Sequence, residues 1–189
     1  MAHRPGLSVK AAVPVVMLGL LCGCAEEPRP VSTAAPGYEG AAEVYDEGDV
    51  ILPVVGVNPR DLSDTFRAER SGQRSHLAID IFAPRGTPVV ALTDGALESV
   101  GQNPLGGNAL WLRSRSGRYA FYYAHLDAFA PGLRTGQRVS QGDTLGTVGT
   151  TGNARGTPPH LHLQLVLRAR GEERTLNPYP LLRYAEIGR

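Results

Sequence analysis

The sequence predicts a mainly β domain over residues 58–189, antiparallel and sandwich-like, on three observations. From about Leu62 onward, short apolar runs are broken by turn residues at a spacing of roughly eight to twelve, the signature of a sandwich or barrel. In His160-Leu161-His162-Leu163-Gln164-Leu165-Val166-Leu167 the four leucines alternate strictly with other residues, the period of a half-buried strand. No stretch carries a sustained 3.6-residue apolar period, so no amphipathic helix competes with the strands.

Taken in order, the expected strands are 77–82, 88–92, 96–100, 109–113, 119–126, 144–148 and 160–167. Between them lie turn signals at 84–86, Asp94-Gly95, 104–107, Ser116-Gly117, Pro131-Gly132 and Gly142-Asp143. Ahead of them, residues 24–57 are rich in Pro, Gly, Ala, Glu and Asp, too apolar-poor to offset their ordering entropy, and read as a mostly disordered tether. Tyr45 and residues 50–57 stand apart within it: a first strand, a segment packed on the domain edge, or a sticky linker.

Period two also assigns faces. In the last strand the leucines enter a core, which places His160 and His162 on the opposite face. In 119–126, Tyr119, Phe121, Tyr123 and His125 share one side. If the chain is extended before Phe82, His76, Ala78 and Asp80 share another. Trp111 reads as core, while Tyr122 and Tyr123 are left open between core and a groove wall.

The charge balance, 19 basic against 18 acidic residues, excludes the concentrated basic surface of a nucleic-acid binder. Arg4 and Lys10 precede the apolar run 11–21, the pattern of a secretory signal. About 11 apolar residues are too few to cross a ~30 Å hydrocarbon core. Both cysteines, Cys22 and Cys24, fall here, so no disulfide staples the domain. Leu21-Cys22-Gly23-Cys24 resembles a bacterial lipobox, with Cys22 at −2 its less usual feature; a plain secretory signal is the alternative. The resemblance makes 1–23 a lipoprotein signal peptide and Cys24 the lipid attachment, so the chain is expected to be exported and membrane-anchored in the cell envelope. Ala25 after the cysteine points to the periplasmic face of the outer membrane.

Five histidines occur, and His3 leaves with the signal. The others, His76, His125, His160 and His162, all sit in or beside expected strands. His76 and Asp80 form His-x-x-x-Asp, and His160 and His162 form His-x-His on one strand face. Two imidazoles and a carboxylate suit a catalytic zinc, which keeps a fourth position for water, lowers that water's pKa to about 7 and polarises a carbonyl. Two further imidazoles nearby can move protons.

Four segments then carry a resemblance: Arg74-Ser75-His76-Leu77-Ala78-Ile79-Asp80-Ile81, Ala83-Pro84-Arg85-Gly86-Thr87-Pro88-Val89, Tyr123-Ala124-His125-Leu126, and the stretch from Gly149 through Pro158-Pro159-His160-Leu161-His162. In that order, over a motif core of 66–166, the chain resembles the lysostaphin-type (LytM-type) zinc endopeptidases of bacterial cell walls. The resemblance implies a duplicated-hybrid-motif fold with a substrate groove, and one zinc held by His76, Asp80 and His162. It makes His125 and His160 the catalytic pair, without saying which is the base. It implies hydrolysis of peptide cross-links or stem peptides of peptidoglycan; the rival reading is a catalytically silent cell-wall regulator that binds and activates a separate amidase. Two departures, Ala78 for the family's usual glycine and Leu163-Gln164 after the site, read as tolerated. Gly149 and the glycines after it read as groove rims, and Gly106-Gly107 as an ordinary tight turn. Neither cluster ends in the Gly-Lys-Ser/Thr of a phosphate loop.

Overall fold

The computed structural model describes residues 45–70 and 74–188, together with Met1. Apart from Met1, the expected signal segment 1–23, Cys24 and the tether through residue 44 lie outside the described residues. Among the described residues, no helix is long and apolar enough to cross a membrane.

Eleven strands are described: β1 (Glu69–Arg70), β2 (Arg74–Ser75), β3 (Ile79–Phe82), β4 (Pro88–Val90), β5 (Gly95–Asn103), β6 (Gly107–Ser114), β7 (Tyr119–Phe129), β8 (Arg138–Val139), β9 (Thr144–Val148), β10 (His160–Ala169) and β11 (Glu172–Leu176). A short helix, α1 (Tyr179–Leu182), follows. β1 and β2 form a separate pair, and the other nine strands make one antiparallel sheet. Its path runs β11-β10-β7-β6-β5-β8, with β3 against β10, β9 against β7 and β4 against β9. The mainly β, antiparallel expectation is met. β11 escaped prediction because Glu172-Glu173-Arg174-Thr175-Leu176 shows no apolar alternation.

The sheet's core face explains why these residues are strands. Leu161, Leu163 and Leu165 of β10, Leu110 and Leu112 of β6, and Tyr119, Phe121 and Tyr123 of β7 are all fully buried. The Tyr123 hydroxyl accepts a hydrogen bond from the Leu92 backbone N–H at 3.0 Å, so even its polar end is satisfied. Trp111 does not join this core. It alternates with Leu110 and Leu112, so period two turns it to the opposite face, where it packs against Tyr122 with ring centroids 4.9 Å apart.

β7 organises the sheet. One edge pairs with β6 from Ala120 to Leu126, whereas the other is shared end to end. β10 takes Tyr119 to Ala124, and β9 takes Leu126 and Phe129. The hand-over falls at His125, and a bridge between Gly149 and His160 closes the gap between the two strands.

Residues 45–57, placed with the tether by composition, belong to the packed domain. Val50 and the run Leu52-Pro53-Val54 are buried. Leu52 N–H donates to Glu186 O at 2.7 Å, and Val54 bridges Val89. Tyr45 packs on Tyr119 at 4.7 Å between centroids. Asp46 pairs with Arg118 and accepts from the Tyr119 hydroxyl, while Glu47 accepts from the Ser114 hydroxyl. The packed domain therefore starts no later than residue 45 rather than at 58. Of the readings open for Tyr45 and 50–57, the segment packed as a strap on the domain is the one the structure shows.

Because Leu52 is completely buried, Leu52→Ala is expected to lower unfolding stability by about 2–5 kcal/mol. The check is urea denaturation, which should show a lower midpoint at unchanged slope. An unshifted midpoint would mean that the strap is not part of the cooperative unit.

Candidate active site

The site grows from the register of β10. His162 lies directly opposite Asp80 on β3 and opposite Ala124 on β7. Directly opposed residues share a face, so the carboxylate and the imidazole meet on the side away from the buried leucines. His76 lies outside the strands, between β2 and β3. Its Nδ1 lies 2.7 Å from the Thr65 carbonyl oxygen. That oxygen can only accept, so Nδ1 carries a proton, and in the neutral ring Nε2 is left as a lone pair. This lone pair points at the other two residues: His76 Nε2 is 3.1 Å from Asp80 Oδ1 and 3.0 Å from His162 Nδ1, and His162 Nδ1 is 3.0 Å from the same Oδ1.

Such convergence of acceptors requires positive charge between them, either a proton or a metal ion. A tetrahedral ion at ~2.0–2.1 Å from nitrogen and oxygen donors needs those donors about 3.3 Å apart. The three contacts form a triangle of nearly that size, so His76, Asp80 and His162 fit a single small divalent ion. Burial opposes ionisation of Asp80, but in the metal-free site a proton shared with the His162 and His76 imidazoles outweighs it and holds the carboxyl well below the usual carboxylate range.

The other two imidazoles are fixed in the same manner. His160 Nδ1 lies 2.8 Å from Pro158 O, and His125 Nδ1 lies 3.0 Å from Thr151 O. Each ring thus keeps its proton on Nδ1. His160 Nε2 is buried and has no hydrogen-bond partner among the described residues. A buried lone pair without a donor is costly unless a ligand or water meets it. The His125 ring centroid is 5.1 Å from that of His160 and 5.4 Å from that of His162.

His125 reaches this face against its parity. Tyr119, Phe121 and Tyr123 point into the core, and strict alternation would send His125 after them. Instead the β6–β7 register shifts between Asn108 and Leu110, and His125 takes φ +65°. That left-handed conformation is rare outside glycine and rotates the ring into the groove. It is held by the His125 N–H bond to Gly106 O, 2.7 Å. The Gly106-Gly107 turn is therefore not ordinary. A Cβ on Gly107 would lie 2.3 Å from Gly152 N, and one on Gly152 would lie 2.3 Å from Gly107 N. The two glycine clusters pack backbone to backbone and together support His125.

All five candidate side chains thus line one groove, with Tyr122, Asn103, Leu105, Phe82 and Gln164 on its walls. Thr65, Thr151 and Pro158 were missed, because each acts through a carbonyl oxygen that has no side-chain signature. Thr65 additionally accepts the Asp80 N–H on its hydroxyl at 2.9 Å, so it touches two of the three donors.

An antiparallel β domain with a metal-type His-Asp-His triangle and two flanking imidazoles in a groove defines a class that comparison makes specific. Residues 74–178, more than half of the chain, match peptidase family M23. The chain belongs to that family and to its lysostaphin-type branch. It is 39% identical over 117 residues to the L-Ala--D-Glu endopeptidase of Bacillus subtilis, covering 59% of this chain and 36% of that protein. Against the peptidoglycan DD-endopeptidase ShyC of Vibrio cholerae it is 38% identical over 113 residues, 57% of this chain and 25% of the relative. The chain thus spans a quarter to about a third of these curated relatives. Among solved structures, the catalytic domain of lysostaphin from Staphylococcus simulans superposes with a TM-score of 0.53 at 25% identity, covering 77% of this chain and 99% of that one. A LytM protein from Ruminococcus gnavus superposes at 0.63 and 37% identity, over 75% and 62%.

Burial, then the neighbouring His162 and His160, lower the His125 pKa to about 4. A depressed pKa makes the neutral ring contribute stability in full above the ordinary histidine value of about 6.5. That contribution is lost as the pH falls toward about 4. In the metal-free protein, the His125 ring resonances should titrate with a midpoint near pH 4 in NMR spectra. A midpoint near the ordinary value would contradict the buried, pinned ring.

Proposed function

We propose that this chain is a zinc-dependent endopeptidase that hydrolyses peptide cross-links or stem peptides of peptidoglycan. The observation that carries the reading is the triangle of His76 Nε2, Asp80 Oδ1 and His162 Nδ1, with His160 Nε2 buried and unpartnered beside it. Relatives named as an L-Ala--D-Glu endopeptidase and a peptidoglycan DD-endopeptidase supply the substrate class. The signal and lipobox read from residues 1–24 agree with it, placing the groove in the cell envelope through lipid on Cys24.

Zinc held by His76, Asp80 and His162 would supply Lewis acidity at the scissile carbonyl and make a water acidic enough to attack at neutral pH. The chain's own residues do the rest. His160 and His125 each offer Nε2 as a base, because Nδ1 of each is committed to a carbonyl. One takes a proton as the water oxygen bonds to the carbonyl carbon. The C–N bond then breaks, and that proton passes to the departing nitrogen, leaving a carboxylic acid and an amine that ionise to carboxylate and ammonium at neutral pH. The fixed tautomers mean neither ring must rearrange before it accepts.

His162→Ala is expected to abolish zinc retention, whereas His125→Ala keeps zinc and loses turnover. Metal analysis and a digest of cross-linked peptidoglycan read by mass spectrometry check both, with and without chelator. Wild-type zinc and activity in both variants would remove the assignment. Bound zinc without cleavage, together with stimulation of a separate amidase, would favour the regulator reading.

Thr65→Val, which removes only the hydroxyl bound to Asp80 N–H, should weaken zinc affinity roughly 10–100-fold in a competition titration. Thr65→Ser should restore it, and equal affinity in all three proteins would show that Thr65 does not position the donors.

A further inference from the structure

The groove wall opposite Phe82 holds a polar side chain that the hydrolytic chemistry does not use. Tyr122 projects from β7 on the face away from Phe121 and Tyr123. Its ring is clamped between Trp111, 4.9 Å away and inclined by 34°, and His162, 6.5 Å away and nearly edge-on at 82°. The hydroxyl oxygen accepts a hydrogen bond from Asn103 Nδ2 at 2.8 Å. The amide orientation is not arbitrary, since Asn103 Oδ1 is occupied by the Gly106 N–H at 2.7 Å, which can only donate. Asn103 therefore gives a proton to the phenol and cannot take one from it. No described residue accepts the phenol's own hydrogen.

Gly106 makes room for this arrangement: a Cβ there would lie 2.0 Å from the phenol oxygen. The same residue's carbonyl holds the His125 N–H, so one loop sets the position of both the phenol and the imidazole. The groove offers little else to hold a ligand by charge. Among the described residues its lining includes no lysine or arginine, and its one carboxylate, Asp80, is engaged by His76 and His162. Away from the metal-type triangle, recognition must come from neutral groups, and the complement of an unpaired phenol proton is a carbonyl oxygen.

We infer that Tyr122 donates its phenolic hydrogen to a backbone carbonyl oxygen of the bound peptide, and so is a substrate-binding residue. The assignment rests on the peptidase reading and adds to it: the wall formed by Asn103, Gly106 and Tyr122 recognises the peptide main chain rather than its charged side groups. Trp111 backs the ring and keeps the donor aimed without itself touching the substrate.

The test compares the zinc-loaded protein with Tyr122→Phe, which keeps the stacked ring and removes only the hydroxyl. The probe is a muropeptide dimer isolated from cross-linked peptidoglycan. Its affinity is read by calorimetry in a His125→Ala background, so that binding is measured without turnover. Loss of one neutral hydrogen bond should weaken binding roughly threefold to tenfold. In the active background, KM should rise by a similar factor at unchanged kcat, with zinc content and melting temperature unmoved. Gly106→Ala, which displaces the phenol, should reproduce the binding loss. Unchanged dimer affinity and KM in Tyr122→Phe would overturn the assignment while leaving the peptidase reading standing. A wild-type chain that binds the dimer, loses affinity on Tyr122→Phe and yet never cuts would overturn the peptidase reading and keep the main-chain contact. No dimer binding by the wild type would overturn both.

Discussion

The register of β10 is the constraint on which the rest of the structure depends. Its six pairs with β7, four with β3 and five with β11 hold it from both edges, and side-chain period two leaves no intermediate setting. A slip by one residue would drive His160, His162 and Gln164 into the core and bring Leu161, Leu163 and Leu165 into the groove. Exposing three fully buried leucines would cost on the order of 5–9 kcal/mol, comparable with the whole stability of a typical domain. The hydrophobic effect therefore sets the position of the histidines. The leucines between them act as the positioning device, and Asp80 meets His162 because β3 is bound to the same setting.

Two departures from regular sheet complete the site. Where β7 passes from β10 to β9, the left-handed residue at His125 brings a fourth imidazole onto the groove face that regular alternation would deny it. Three carbonyl oxygens, those of Thr65, Thr151 and Pro158, then fix which nitrogen of His76, His125 and His160 carries the proton. The first departure places a ring, and the second decides its chemistry. Both rely on backbone groups, so substitutions at these positions act through chain geometry as much as through side-chain identity.

Much of this was legible in the sequence, and for physical reasons. The alternating leucines of β10 announced a strand and its two faces. Glycine and proline marked the turns, and the four histidines with Asp80 could be grouped by residue type. What could not be read was whatever depends on backbone atoms or on breaks in periodicity. Parity alone put His125 with Tyr123, and nothing local signals the φ +65° that separates them. Trp111 shows the opposite error: its hydrophobicity argued for the core, while its place between Leu110 and Leu112 argued against it, and the period was the better guide. The strap at 45–57 was left open by composition, with packing on the domain edge one of its readings, since three buried aliphatic residues are diluted by the glycine, proline and acidic residues around them. Its anchoring partners, Arg118 and Glu186, lie far along the chain.

That strap bears on how the domain would carry a mechanical load. A pull applied to the chain at Tyr45 meets the Asp46–Arg118 ion pair and the Glu47 hydrogen bonds before any strand of the sheet. Beyond them it meets the bonds from Ile51 to Leu92 and from Leu52 to Glu186. None of these residues belongs to the metal-type triangle, to the loop beneath His125 or to the groove walls. Tension entering at Tyr45 would therefore load these bonds ahead of the register of β3, β7 and β10. The first contacts to take a load at this end of the domain are thus ones that the groove does not use, as a handle takes the grip and not the edge of a tool.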